Sequence, residues 1–165
     1  MHYYSRSEQP EYNNNQIKNQ LTEYMQSDKW DKDNLQEILM EYRVLAVNPG
    51  STSTKIAVYD DRRPVFALTL RHDAGKISSF SGIIDQYEFR KELVISALAE
   101  NMIKLDSLNA VVGRGGLVKP VASGTYIINE IMLKDLKNPE IWGRIHASNL
   151  GAFIAKAIAD QIGVP

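Results

Sequence analysis

The sequence predicts an α/β fold in which a mixed β-sheet is flanked by helices. Two apolar runs, 44–47 and 55–59, are rich in β-branched residues and stand on either side of a short polar turn, which is typical of a β-hairpin. Apolar residues then recur at helical spacing over 82–105 and again over 150–158. Strand patterns and helix patterns in one chain of 165 residues indicate a single layered α/β domain.

The first three strands are expected near 43–48, 54–60 and 64–71. The last two are separated only by the polar turn Asp60-Asp61-Arg62-Arg63, and the first two only by the turn around Pro49 and Gly50. Connections this short force neighbouring strands to run antiparallel. We therefore predict a three-stranded antiparallel meander ahead of the first long helix.

That long helix is predicted near 82–105, with an apolar face that covers the sheet, formed by Ile83, Tyr87, Val94, Leu98, Met102 and Leu105. Strands are expected at 109–113 and 124–129, followed by helices. Ser148 is the expected N-cap of the last helix, and Gly163 its expected end, since glycine commonly stops helices.

Residues 1–39 differ from the rest of the chain. They are rich in Asn, Gln, Tyr and acidic residues and poor in β-branched ones, which predicts a polar, partly helical N-terminal extension. We assign this segment no function. The expected domain organisation is an extension over 1–39 and a folded unit over 40–165.

Composition excludes several classes of function. A formal net charge of −1 without a basic run argues against a nucleic-acid partner, and no apolar stretch has the length of a membrane span. A cytoplasmic location is the expectation. The chain has no Cys, and its histidines at 2, 72 and 146 have no metal-ligand spacing, so we predict no metal site built by the chain itself.

The turn between the first two strands suits an anion. It concentrates backbone amides, small hydroxyls and one ammonium group at one end of the sheet, on Gly50, Ser51, Thr52, Ser53 and Lys55. A P-loop is excluded because Lys55 follows Thr54 and leads into a β-branched strand rather than opening a helix. The alternative is an ordinary Pro-Gly hairpin turn with polar decoration.

Arg114 is the second candidate. It follows the predicted strand at 109–113 and is flanked by Gly113, Gly115 and Gly116, which leave room around a planar fork able to hold a carboxylate or phosphoryl group. The alternative is a surface arginine on a turn. A dinucleotide fingerprint is excluded because the third glycine would fall at Val118.

Three motifs in order carry a resemblance to a known family. The segment 48–55, Asn-Pro-Gly-Ser-Thr-Ser-Thr-Lys, resembles the first phosphate motif of the acetate and sugar kinase, heat-shock and actin superfamily, in the form with Asn that marks carboxylate kinases. The segment 109–117, with Lys119-Pro120 and 123–126 after it, resembles the butyrate kinases, and so does 146–152. The resemblance covers residues 40–165.

The resemblance implies a ribonuclease-H-like, actin-type ATPase half-domain and reversible phosphoryl transfer between ATP and a short-chain carboxylate, butyrate and ATP giving butyryl phosphate and ADP. ATP or ADP and Mg²⁺ are the implied cofactors, with the metal arriving on the nucleotide. Asn48 would orient the transferring phosphoryl oxygens, Arg114 would hold the acyl or phosphoryl group, and His146 would contact the transition state. By itself, a histidine before a helix is more often a surface residue.

One departure from the family bears on activity. In that family a second lobe binds adenosine, and an essential Asp lies beyond the position of residue 165. We therefore expect this chain to be a truncated N-terminal lobe, inactive alone. The alternatives are a non-catalytic remnant or interaction module, or another phosphotransferase of the superfamily. Asn48 disfavours a sugar kinase, and the short turn over 113–117 disfavours an acetate kinase. Homo-oligomerisation is left open.

Overall fold

The computed structural model describes residues 42–138, 140, 141, 143 and 145–165, and the expectation for 1–39 lies outside them. A four-stranded sheet has the order β3-β2-β1-β4. Its strands are β1 (Arg43–Pro49), β2 (Ser53–Asp60), β3 (Arg63–Arg71) and β4 (Ala110–Gly113). The strand β1 pairs antiparallel with β2 and parallel with β4, and β2 pairs antiparallel with β3. The predicted meander and mixed sheet are confirmed.

Four α-helices accompany the sheet in the described part of the chain: α1 (Ala74–Ser78), α2 (Tyr87–Glu100), α3 (Glu130–Lys137) and α4 (Leu150–Ile162). Short 3₁₀ turns occupy Ile84–Gln86, Leu105–Ser107 and Ala147–Asn149. None of the helices in this part of the chain is long and apolar enough to cross a bilayer. The arrangement is α/β and is consistent with an actin-type ATPase half-domain.

The core lies between one face of the sheet and the helices α2 and α4. Alternate strand residues point into it, and each fully buried aliphatic side chain contributes roughly 1.5–3 kcal/mol. On the opposite face Tyr59 and Val112 are 36% and 38% exposed. The buried side chains of the core include Leu45, Val47, Ile56, Val58, Val111, Val94, Leu98, Leu150, Ile154 and Ile158.

The predicted helix over 82–105 was too long. Met102 takes a left-handed conformation, with φ of 59°, and is 91% exposed instead of facing the sheet. The amide of Met102 donates to the Ala99 oxygen, and that of Ile103 donates to the Leu98 oxygen, as in a Schellman motif. Because the left-handed position holds Met rather than Gly, the sequence contained no stop signal there.

The predicted strand over 124–129 was wrong, since no strand of the sheet forms there. The chain instead folds back locally, with the Tyr126 hydroxyl donating to the Ala122 oxygen at 2.7 Å. Tyr126 and Ile128 pack against a second apolar cluster around Met132 and Phe153. The alternating pattern therefore reflects packing of an extended segment on helices, with a single isolated β-bridge at Tyr126 in place of a strand.

Candidate functional site

The strands β1 and β4 bring two predicted site residues together. In their parallel register Val47 lies beside Gly113, and the Arg114 amide donates to the Val47 oxygen at 2.8 Å. Asn48, near the carboxyl end of β1, and Arg114, directly after β4, therefore lie at the same end of neighbouring strands. Side chains at the carboxyl ends of parallel strands commonly form ligand sites in α/β proteins.

Lys55 joins this edge from the other side of β1. It is the register partner of Asn48 in the antiparallel pair, so both side chains lie on the face opposite the core. Lys55 is exposed and Asn48 is half-buried. The structure thus places Asn48 and Lys55 side by side at one corner of the sheet, with Arg114 one strand away from Asn48.

The start of α4 closes against the same corner. A Cβ added to Gly113 would lie 2.3 Å from the Gly151 oxygen, and one added to Gly151 would lie 3.1 Å from the Arg114 oxygen. A Cβ added to Gly115, which has a φ of 86°, would lie 3.2 Å from the Ser148 Cβ. The three motifs of the sequence therefore meet in space.

His146 is exposed at this corner, just ahead of the 3₁₀ turn that leads into α4. Its Nδ1 accepts from the Ser148 amide at 3.2 Å and lies 2.8 Å from the Ser148 hydroxyl. The predicted cap at Ser148 was wrong, because the His146 ring caps this turn and α4 begins only at Leu150. An Nδ1 that accepts from an amide leaves the ring proton on Nε2, free to act as a donor.

The predicted end of the same helix is confirmed. Gly163 is left-handed, with φ of 73°, and its amide donates to the Ala159 oxygen.

The carbonyl oxygens of the anion turn all accept hydrogen bonds from the interior. The Arg90 guanidinium donates to the Gly50 oxygen at 2.7 Å and the Ser51 oxygen at 3.1 Å. It also donates to the Ser53 oxygen at 3.3 Å. The Thr52 oxygen accepts from the His72 amide at 3.0 Å. The turn is held with its oxygens inward.

The amides of the turn divide into two groups. The Gly50 amide is used within the turn, where it donates to the Ser53 oxygen at 2.7 Å. For the amides of Ser51 and Thr52, the described residues provide no acceptor. A Cβ on Gly50 would meet only ordinary contacts, 3.5 Å from the Ser53 oxygen, so the protein itself does not require glycine there. Two amides and two exposed hydroxyls remain for an anion.

Arg90 is the residue that sequence reasoning missed. It is fully buried on α2, and its Nε and Nη2 both donate to the Gln86 side-chain oxygen, at 3.2 and 2.8 Å. The signal was present, because Arg90 falls at helical spacing between Tyr87 and Val94 on the face that turns toward the sheet. A charge in an apolar stripe indicates a buried polar contact.

Asn149 was also missed as an individual residue. Its side-chain oxygen accepts from the Leu117 amide at 2.9 Å, and its nitrogen donates to the Leu136 oxygen at 2.8 Å. This buried amide ties the turn after β4 to α3 and to the start of α4, so it helps to fix the backbone that carries Arg114.

Thr54 and His72 lie beneath the turn. Thr54 is fully buried, and its hydroxyl lies 2.9 Å from His72 Nε2 and 3.3 Å from an Arg90 nitrogen. Of the hydroxyls in the turn, this one therefore faces the interior and is unavailable to a ligand. His72 Nδ1 is buried, and no described residue bonds to it.

His72 should make the fold sensitive to acid. Burial and, secondly, the charge of Arg90 lower the pKa of His72 from 6.5 to about 4. The unfolded chain takes up this proton near pH 6.5 and the folded chain only near pH 4, so the stabilisation is complete above 6.5 and is lost as the pH falls toward 4. The loss should reach about 3 kcal/mol at most.

Urea unfolding at a series of pH values measures this effect, with His72→Gln as the matched variant. The variant should show a flatter dependence of the unfolding free energy over this pH window. Equal dependence in the two proteins would assign the acid sensitivity to other groups. His72 faces Thr54 on β2 and Phe89 and Arg90 on α2.

The described residues contain no cluster of three or more His, Asp or Glu side chains that could hold a metal ion. Asp73 caps α1 by accepting from the Lys76 amide at 2.8 Å. A groove of about 490 Å³ lies elsewhere, between α3 and α4, and is lined in part by Lys134 and Phe153. The donors at the sheet corner fit phosphate groups, whereas nothing in the described ranges forms a carboxylate site for a cation.

Comparison with known proteins supports the resemblance drawn from the three motifs. No family model matches the chain. The chain is 56% identical over 124 residues to Butyrate kinase 1 of Clostridium acetobutylicum. The match covers 75% of this chain and 34% of that protein, so the chain spans about a third of the length of the curated relative it matches. The resemblance to butyrate kinases is confirmed over this region.

Proposed function

We propose that this chain, as a relative of a butyrate kinase, forms the phosphate-binding lobe of an ATP-dependent kinase that phosphorylates a short-chain carboxylate, with butyrate as the substrate. The observation that carries the proposal is the meeting of three polar turns at one corner of the sheet. One turn follows β1, one follows β4 and one precedes α4. Together they supply the donors that a transferring phosphoryl group needs.

In this reaction a carboxylate oxygen attacks the terminal phosphorus of ATP and the bond to ADP breaks, so charge develops on the equatorial phosphoryl oxygens. The amides of Ser51 and Thr52, with Lys55, hold the nucleotide's phosphates. The Arg114 fork holds the carboxylate or the phosphoryl group, while the Asn48 amide orients it. His146 donates from Nε2 to a phosphoryl oxygen.

Mg²⁺, bound to the nucleotide's phosphates, would supply further positive charge. Because no carboxylate cluster exists in the described ranges, the chain's own contribution is the set of fixed donors around the phosphates. In this proposal residues 40–165 form the N-terminal lobe of a cytoplasmic enzyme, and the adenosine site belongs to the part of the relative that this chain does not match.

A second candidate is a binding module that keeps the fold and the anion turn but has no turnover. Among the described residues, the corner of the sheet offers donors for an anion and no carboxylate cluster for a cation, which is also what a module that only binds an anion requires. The two candidates differ in one measurable property, which is whether the corner of the sheet supports catalysis when the remainder of a butyrate kinase is present.

A chimera tests the proposal. In Butyrate kinase 1, the matching segment is replaced by the 124 residues of this chain, and acyl phosphate is trapped with hydroxylamine in the presence of ATP, Mg²⁺ and butyrate. We expect sustained turnover by the chimera and none by residues 1–165 expressed alone. A folded but inactive chimera would favour the binding module, and turnover by the 165-residue chain would show that it holds a complete site.

A further inference from the structure

Arg90 carries a buried positive charge that no carboxylate balances in the described part of the chain. Its side chain is fully buried, and the ion pairs among the described residues do not include it. Its acceptors are the Gln86 amide oxygen, three carbonyl oxygens of the turn 50–53 and the Thr54 hydroxyl, all of them neutral.

Burying a cation with neutral acceptors alone is costly, because carbonyl dipoles replace only part of the hydration that the charge has lost. Burial accordingly lowers the pKa of the Arg90 guanidinium. A leucine or methionine at this position would extend the apolar face of α2 at no such cost. The cost indicates that the charge serves the turn rather than the core.

The hydrogen bonds of Arg90 show how its charge can serve the turn. The fork pulls the Gly50, Ser51 and Ser53 oxygens toward the interior, and the amides of Ser51 and Thr52 are left without acceptors among the described residues. The guanidinium therefore stands directly behind the carbonyl side of a turn whose other side offers donors to an anion. Its field adds to those donors across a medium of low dielectric constant.

We propose that Arg90 is a positioning residue for the phosphate turn, and that a phosphate bound by the Ser51 and Thr52 amides is the counter-charge of the buried guanidinium. The inference rests on the proposed function, since it takes the turn to be a phosphate site. The inference adds Arg90, which contacts no ligand, to the residues that shape the site. It also makes the bound phosphate the counter-charge of a cation that is buried in the fold.

The substitution Gln86→Glu tests this charge balance with almost no change in shape. Gln86 already accepts from Arg90, so a carboxylate at this position supplies an internal counter-charge. In the 165-residue chain, inorganic phosphate should shift the amide NMR signals of Ser51 and Thr52. The affinity measured from these shifts should fall about tenfold in the variant. The melting temperature in phosphate-free buffer should hold or rise.

Gln161→Glu is the matched control. It adds the same charge at an exposed position near the far end of α4, about 15 Å of helix beyond Gly151. We expect unchanged phosphate affinity there. A merely structural Arg90 would make stability and affinity move together, whereas the proposal requires that Gln86→Glu lower phosphate affinity without lowering stability.

The outcomes separate this inference from the proposed function. No phosphate-dependent shift in the wild-type chain would overturn both. Binding by the wild type with equal affinity in Gln86→Glu would overturn the role of Arg90 and leave the phosphate turn in place. Arg90→Lys gives an independent test, because it keeps the charge but loses the fork. We expect phosphate binding weakened several-fold and shifted Ser51 and Thr52 signals in the free protein, and unchanged values would count against the proposal.

Discussion

Arg114→Ala is expected to lower the turnover of the chimeric kinase at least about a hundredfold, because a charge-assisted donor aimed at the transition state is lost. Arg114 is exposed, and its backbone is held by the bond of its amide to the Val47 oxygen. The fold should therefore survive the change. Steady-state kinetics with butyrate and ATP provide the measurement, and the drop should be in kcat more than in KM.

Arg62→Ala is the control for this prediction. Arg62 is an exposed arginine in the turn between β2 and β3, at the end of β2 opposite the phosphate turn and about 20 Å away along the strand. Its loss should leave turnover unchanged. Arg114→Lys separates charge from fork geometry, and we expect it to recover only part of the activity. Turnover of Arg114→Ala within about twofold of the parent would remove Arg114 from the site.

Gly113→Ala is expected to destabilise the 165-residue chain by about 3 kcal/mol or more. The added Cβ would lie 2.3 Å from the Gly151 oxygen, 2.4 Å from the Gly151 carbonyl carbon and 2.9 Å from the Ala152 nitrogen. All of these atoms belong to the backbone, so no side-chain rotation relieves the overlap. The end of β4 and the start of α4 would have to move apart, which would also separate Arg114 from His146.

Urea unfolding measures this loss, with Gly82→Ala as the control. Gly82 is exposed, has no left-handed φ, and would place its Cβ 3.5 Å from an Asp85 carboxylate oxygen, an ordinary contact. The unfolding free energy of the Gly82→Ala variant should differ from that of the wild type by less than about 0.5 kcal/mol. If Gly113→Ala were as mild as this control, the close approach of β4 and α4 would not be needed for stability.

Local features of the fold could be predicted from the sequence because their causes are local. The strands β1, β2 and β3 follow from β-branched runs separated by turns too short for anything but antiparallel pairing. The end of α4 follows from Gly163, which adopts the left-handed conformation that glycine accepts most readily. Where such a signal was missing, as at Met102, the predicted boundary failed.

The candidate site likewise has features that could be predicted from the sequence and features that could not. The donors around Gly50 and the glycines around Arg114 could be recognised in the sequence, because the chemistry of each turn is contained in a few adjacent residues. The roles of Asn48, Arg114 and His146 stay predictions. The proximity of these three residues depends on the parallel pairing of β1 with β4 and on the contact of Gly113 with Gly151.

The α/β class, the meander and the composition of the anion turn follow from the amino-acid sequence alone. What lies behind that turn depends on the three-dimensional fold, in which Arg90 reaches the Gly50 oxygen from a helix far along the chain. The physical reason is that local propensity acts between near neighbours in the chain. The direction in which a carbonyl or an amide points is set by whichever distant donor satisfies it.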